Sequence, residues 1–234
     1  WDISAENANG IEIRNTTAYF VIRSCVIENG RKEKPCTYGI LLDNVVNGRI
    51  ENNTCKNSRM GISIRSSDHN TLTTNTCSYN VEGIFLVNSN NNNLENNICV
   101  NNSGEGIGPH RSFNNDLINN TCLNNKEGIY LPESGNNTLT NNTCSNNNEE
   151  GILIMWSSCN NTLTNNTFSN NYLGIKLDAS DNNRIYHNNF MNNVLQASDP
   201  CKNYWDNDYP SGGNYWGDYT GVDNYRGENQ DILG

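Results

Sequence analysis

Apolar residues in this chain come in short bursts divided by Asn, Ser and Gly, and the bursts keep a fixed period. One column follows a recurring glycine: Ile11, Ile40, Ile62, Ile84, Ile107, Ile129, Ile152 and Ile175. A second, ten residues on with few exceptions, holds Phe20, Ile50, Leu72, Leu94, Leu117, Leu139, Leu163 and Ile185. A third, five further along, holds Cys25, Cys55, Cys77, Cys99, Cys122, Cys144, Phe168 and Phe190. Successive members are 22 to 24 residues apart, except for a longer first step containing a basic loop from Arg31 to Cys36. Such a period signals one supersecondary unit stacked on itself.

The apolar pieces are too short for amphipathic helices, and Asn is a poor helix former. Alternation, as in Ile129-Tyr130-Leu131 and Ile175-Lys176-Leu177, predicts strands with one face inward. Three strands per turn predict an all-β fold, a right-handed parallel β-helix of about nine rungs spaced roughly 4.8 Å apart. It is expected to span residues 1–200. The chain has 51 Asn among 234 residues, and they fall in register. One file is Asn53, Asn75, Asn97, Asn120, Asn142, Asn166 and Asn188; another is Asn70, Asn92, Asn115, Asn137, Asn161 and Asn183. Asn tolerates the left-handed conformation of a tight corner. Stacked at strand spacing, side-chain amides form hydrogen-bonded ladders.

Six of the nine cysteines occupy the third column, where Phe168 and Phe190 take their place near the end. That interchange marks an inward position at which Cys serves as a small hydrophobe. Parallel neighbours put their Cβ atoms about 4.8 Å apart, beyond the usual disulfide range of about 3.5–4.5 Å, so the thiols are expected to be reduced. Cys36, Cys159 and Cys201 lie off the column and are the candidates for intermolecular disulfides. Ile3 lies 22 residues before Cys25, which predicts a first rung that opens in mid-coil. Upstream residues or another molecule are expected to cover it.

After Phe190 the composition turns aromatic and Gly-rich, and residues 201–234 are expected to form a C-terminal cap. Trp205 lies ten residues after Leu195, where the second column asks for an apolar residue. Tyr215, Trp216 and Tyr219 fit the same cap; their alternative role is stacking on sugar rings. The net charge of -10 argues against nucleic acid and against an anionic membrane surface. No apolar run reaches membrane-spanning length.

Four carboxylates precede the Gly-Ile pairs on consecutive repeats, Glu82, Glu105, Glu127 and Glu150, with Glu149 beside them. Like charges at strand spacing repel unless they are solvated or neutralised. A solvated acidic face is the simpler reading, and a calcium-type site the alternative; no cofactor is otherwise required. Acids and bases for a lyase or hydrolase do not converge: Asp43, Arg65 and Asp178 have no His or second acid beside them. His69, His110 and His187 fall in different columns and coils. Met155, Trp156 and Cys159 look mildly copper-like, but His110 lies two coils, about 10 Å, from Met155. Asn101 and Asn136 are the outward Asn-x-Ser/Thr sites best placed to carry glycans in a secreted protein.

The repeated Asn-Asn-Thr-(Cys/Phe)-Ser-Asn-Asn unit leading to Gly-Ile, followed by the Gly213–Gly221 segment Gly-Asn-Tyr-Trp-Gly-Asp-Tyr-Thr-Gly, resembles the NosD-like right-handed β-helix proteins. The resemblance covers about residues 10 to 230. It implies the fold, and an extracellular surface protein of the kind abundant on methanogenic archaea. In relatives the tail runs into an Asp- and Gly-rich segment of calcium-binding appearance, whereas this sequence stops at Gly234. The resulting expectation is a non-enzymatic structural or adhesive surface module that associates with copies of itself or with other surface proteins. A carbohydrate-binding module, or a polysaccharide lyase or hydrolase on the same scaffold, is the alternative.

Overall fold

The computed structural model describes residues 1–5, 8–29, 37–208 and 210–221, and the backbone of 225–226 and 232–233. The basic loop, with Cys36, lies outside the described residues.

Short strands wind into three parallel sheets of nine, eight and ten strands. They carry the Gly-Ile, Leu and Cys columns respectively. Ile84 pairs with Ile62 and Ile107, Leu94 with Leu72 and Leu117, and Cys77 with Cys55 and Cys99. From Ile40 to Phe190 every column member is fully buried, and together they form one continuous core. No helix occurs among the described residues. The fold is a right-handed parallel β-helix of about nine turns.

The period mis-sets the register at both ends. In the first coil the second-column residue is Ile22, paired with Ile50, while Phe20 pairs with Gly48. The third-column residue is Ile27, paired with Ile3 and Cys55. Cys25 instead meets Asn53, whose Oδ1 accepts its backbone N–H at 3.0 Å. At the far end Ala197, not Leu195, continues the Gly-Ile column by pairing with Ile175. Leu195 faces out. The first coil carries one extra residue between its first two columns, eleven from Ile11 to Ile22 against ten from Ile40 to Ile50, which moves Ile22 and Ile27 off the period.

Each Asn-Asn pair does two jobs. The first Asn turns the corner with positive φ, as at Asn96 (φ 55), Asn119 (φ 55) and Asn141 (φ 57). The second is buried and ladders with the next coil. From Asn53 to Asn214 each Nδ2 donates to the following Oδ1 at 2.9–3.0 Å. The file from Asn70 to Asn203 behaves likewise at 3.0–3.2 Å. A third file runs through Asn102, Asn125, Asn147, Asn171 and Asn193. A serine file from Ser67 to Ser180 closes the fourth corner, and Cys201 extends it by accepting the Ser180 N–H at 3.4 Å. These files satisfy corner amides that have no place in the sheets.

The glycine of each Gly-Ile pair exists for clearance. A Cβ on Gly128 would lie 2.4 Å from the Gly151 carbonyl and 2.9 Å from the Cys144 Cβ. The described part of the tail is the last coil. Trp205 follows Ile185, and Trp216 pairs with Phe190 and stacks on it, with ring centroids 4.5 Å apart and planes 12° apart. Trp216 is thus turned towards the core.

Candidate functional site

Strand alternation fixes which side chains stand outside the nine-stranded sheet. In Glu82–Val87 the buried Ile84 and Leu86 leave Phe85 outward; in the next three coils His110, Tyr130 and Met155 emerge on the same face. Phe85, His110, Tyr130 and Trp156 form a continuous aromatic file across four coils. Their centroid spacings are 4.6, 5.1 and 6.4 Å, and every contact is edge-on. Gly108 makes room beside it: a Cβ there would sit 2.7 Å from Glu105 Oε1 and 3.1 Å from His110 Nε2. Those two atoms are 3.0 Å apart, hydrogen-bonded across the open position.

The corner that ends these strands breaks the pattern seen elsewhere. Arg111 (φ 48), Glu133 (φ 51) and Trp156 (φ 59) occupy left-handed positions that Asn fills at most other corners. A left-handed backbone costs such residues about 1–2 kcal/mol each. Three neighbouring coils carry that cost in order to present an arginine, a carboxylate and an indole. Arg111 and Glu133 form a two-point ion pair at 3.0 Å. Trp156 is 54% exposed. Between them runs an open groove of about 620 Å³ lined by Asn88, Arg111, Phe113, Glu133, Trp156 and Ser157. A hollow of about 210 Å³, lined by Val87, His110, Pro132 and the same corner residues, adjoins it.

Glutamates flank the file on its other side, and the solvated acidic face is not what forms. Glu105, Glu127 and Glu150 are only 9%, 7% and 9% exposed, because at strand spacing each stem is covered by its neighbours. Burial, then the charge of Glu105, raises the Glu82 carboxyl to about 7. Burial also raises Glu127 and Glu150. Tyr130 is pushed up to about 12, first by burial and then by Glu105 and Glu127. Its phenol therefore stays protonated at neutral pH, donating to Met155 Sδ at 3.2 Å.

Of the four predicted carboxylates, Glu127 and Glu150 come together with Glu149, each offering an oxygen within 4.8 Å of the others. Glu82 and Glu105 do not join that cluster. Tyr215 and Tyr219 are exposed on the last coil, away from the file. Asn101 and Asn136 both sit at left-handed corners, Asn136 exposed and Asn101 half-buried. Cys159 and Cys201 are free, half-buried thiols. Asp43 is paired with Arg14, and the Arg65 guanidinium lies over the Tyr38 ring at 4.8 Å. Column-by-column reading misses the aromatic file because its rings come from different columns. Their shared signal is an aromatic or His one to four residues after Ile84, Ile107, Ile129 and Ile152.

A sequence model described as "Periplasmic copper-binding protein (NosD)" matches residues 31–221. The residues present do not fit copper. Cys55, Cys77, Cys99, Cys122 and Cys144 are wholly buried among apolar side chains. Burial drives the thiols of Cys77 and Cys99 well above the ordinary range, away from the thiolate a metal needs. His110 is engaged by Glu105. Among the described residues the one cluster of three or more His, Cys, Asp or Glu ligands is the carboxylate trio, a hard donor set.

The solved structures similar to this chain are parallel β-helices. The mannuronan C-5 epimerase AlgE6 A-module of Azotobacter vinelandii superposes with a TM-score of 0.72 at 19% identity, covering 85% of this chain and 63% of that one. The AlgE4 A-module of the same organism gives 0.71 at 17%, covering 83% and 62%. Tailspike protein 2 of bacteriophage CBA120 gives 0.68 at 13%, covering 86% and 36%. The chain thus spans less than two thirds of each of these structures. A search of curated protein sequences finds no match. The match over 31–221, most of the chain, accords with the stacked solenoid and its aromatic last coil: the chain belongs to the NosD family.

Proposed function

We propose that the protein binds polysaccharide outside the cytoplasm, along the outer face of its nine-stranded sheet, without turning it over. The observation that carries this reading is the file Phe85, His110, Tyr130 and Trp156, bordered by an open groove with Arg111 and Glu133 at its corner. Aromatic faces and paired charges on a rigid, elongated surface suit a chain of sugar rings and their hydroxyls. The periplasmic description of the family supports the location. The names of the epimerases and tailspikes that share the fold support the ligand class. Binding is favoured over turnover because Tyr130 is a poor base and both it and Glu105 already have partners.

A glycan array followed by affinity measurement tests the reading. Trp156→Ala and Tyr130→Ala should each weaken binding about tenfold, roughly 1.4 kcal/mol. Absence of any polysaccharide ligand would refute it, and turnover of one would replace it with an enzyme. A second reading, a structural surface protein that associates with its own copies, rests on the half-buried free thiols of Cys159 and Cys201. Sizing chromatography with and without reductant tests it, and a monomer in both conditions would remove it.

A further inference from the structure

We propose that Glu127, Glu149 and Glu150 form a binding site for a hard divalent cation of the calcium class, which the Lys126 ammonium occupies in the cation-free protein. The proposal is independent of the polysaccharide reading. Two adjacent coils build the site. Glu127 and Glu150 hold equivalent places, since the Gly128 N–H donates to the Glu150 carbonyl at 2.9 Å and Ile129 pairs with Ile152. Glu149 adds a third carboxylate from the rim. One oxygen from each lies within 4.8 Å of the other two, a separation that one calcium ion spans with its usual ligand distances of about 2.3–2.6 Å.

A cluster of acids needs more than proximity to mark a site, and Glu150 supplies it. The residue is 9% exposed, and its Oε2 is buried without a hydrogen-bond partner. A shielded carboxylate oxygen without a donor, beside two more carboxylates, is a ligand atom lacking its cation. Lys126 meets only part of the demand. Its Nζ lies 2.6 Å from Glu127 and 3.2 Å from Glu149. Glu150 feels the charge of Lys176 and, more weakly, of Lys126, but neither hydrogen-bonds its Oε2. The lysine side chain is 46% exposed and can swing into water. A divalent ion would neutralise twice the charge and reach the orphaned oxygen. Glu149, on the exposed rim, leaves room for the water ligands that calcium adds to protein oxygens. Magnesium, which demands a near-ideal octahedron, fits such a mixed set less well.

The test is isothermal titration of chelator-treated protein with CaCl2, with MgCl2 and NaCl as separate arms. One saturable calcium site is expected, with weaker magnesium binding and no sodium response. Glu149→Gln, at an exposed position where the fold has little at stake, should weaken calcium by about tenfold or more. Lys126→Gln should tighten it, because the competing ammonium is gone. A purely structural acidic rim gives the opposite pattern, with no calcium heat in any variant. That result, calcium affinity unchanged in Glu149→Gln, or weaker binding in Lys126→Gln would each overturn the proposal.

Discussion

Asn120→Ala is the sharpest perturbation of the ladders. Asn120 is 1% exposed, and its side chain makes four hydrogen bonds. Nδ2 donates to the Leu94 carbonyl at 2.8 Å and to Asn142 Oδ1 at 3.0 Å. Oδ1 accepts from the Asn97 backbone N–H and from Asn97 Nδ2, both at 3.0 Å. Two neighbours keep other partners after truncation, since Asn97 Nδ2 still reaches the Leu72 carbonyl and Asn142 Oδ1 still accepts the Asn120 backbone N–H. The Asn97 backbone N–H loses its acceptor inside the protein. Leaving a buried donor unpaired costs about 1–3 kcal/mol, and each of the three other lost bonds about 0.5–1.5 kcal/mol, so the change should destabilise by roughly 2.5–7.5 kcal/mol. Asn119→Ala, next door on the exposed corner, should cost only about 1–2 kcal/mol for an Ala held at positive φ. Equilibrium denaturation followed by far-ultraviolet circular dichroism measures both. If Asn120→Ala costs no more than Asn119→Ala, the ladders do not hold the coils together.

Stability should fall as pH rises from about 5 to about 8. The folded Glu82 carboxyl titrates near 7, above its unfolded value, so its contribution is complete at acidic pH and lost on ionisation. Glu127 and Glu150 act in the same direction. Glu82→Gln should flatten the slope, and an unchanged profile would show that Glu82 does not titrate as described. Trp216→Ala should destabilise by about 2–4 kcal/mol through the cavity it leaves beneath Phe190, without weakening polysaccharide binding. Loss of sugar affinity in a stable Trp216→Ala protein would return the tail to its role as a sugar platform.

Much of this was legible in the sequence because a solenoid repeats its decisions. From Ile40 to Phe190 each column is set by one period, and burial follows from it. Interchange of Cys with Phe at Phe168 and Phe190 located the thiols inward before any coordinate. The same logic failed where the period is locally broken. Ile22 and Ile27 lie two residues past Phe20 and Cys25, and an extra corner residue is invisible when hydrophobics occupy both candidate positions. The glutamates were legible as a column but not as buried, because coverage comes from neighbours in space. The aromatic file escaped because Phe85, His110, Tyr130 and Trp156 meet across columns. Its nearest sequence trace is the row of bulky residues, Arg111, Glu133 and Trp156, at corners where Asn is the easier choice.

Hydroxyl-radical footprinting with and without a bound oligosaccharide tests the location of the binding face most directly. The account predicts protection of Tyr130 and Trp156, with Tyr215 and Tyr219 labelled equally in both states. Protection of Tyr215 and Tyr219 with Trp156 unchanged would contradict it.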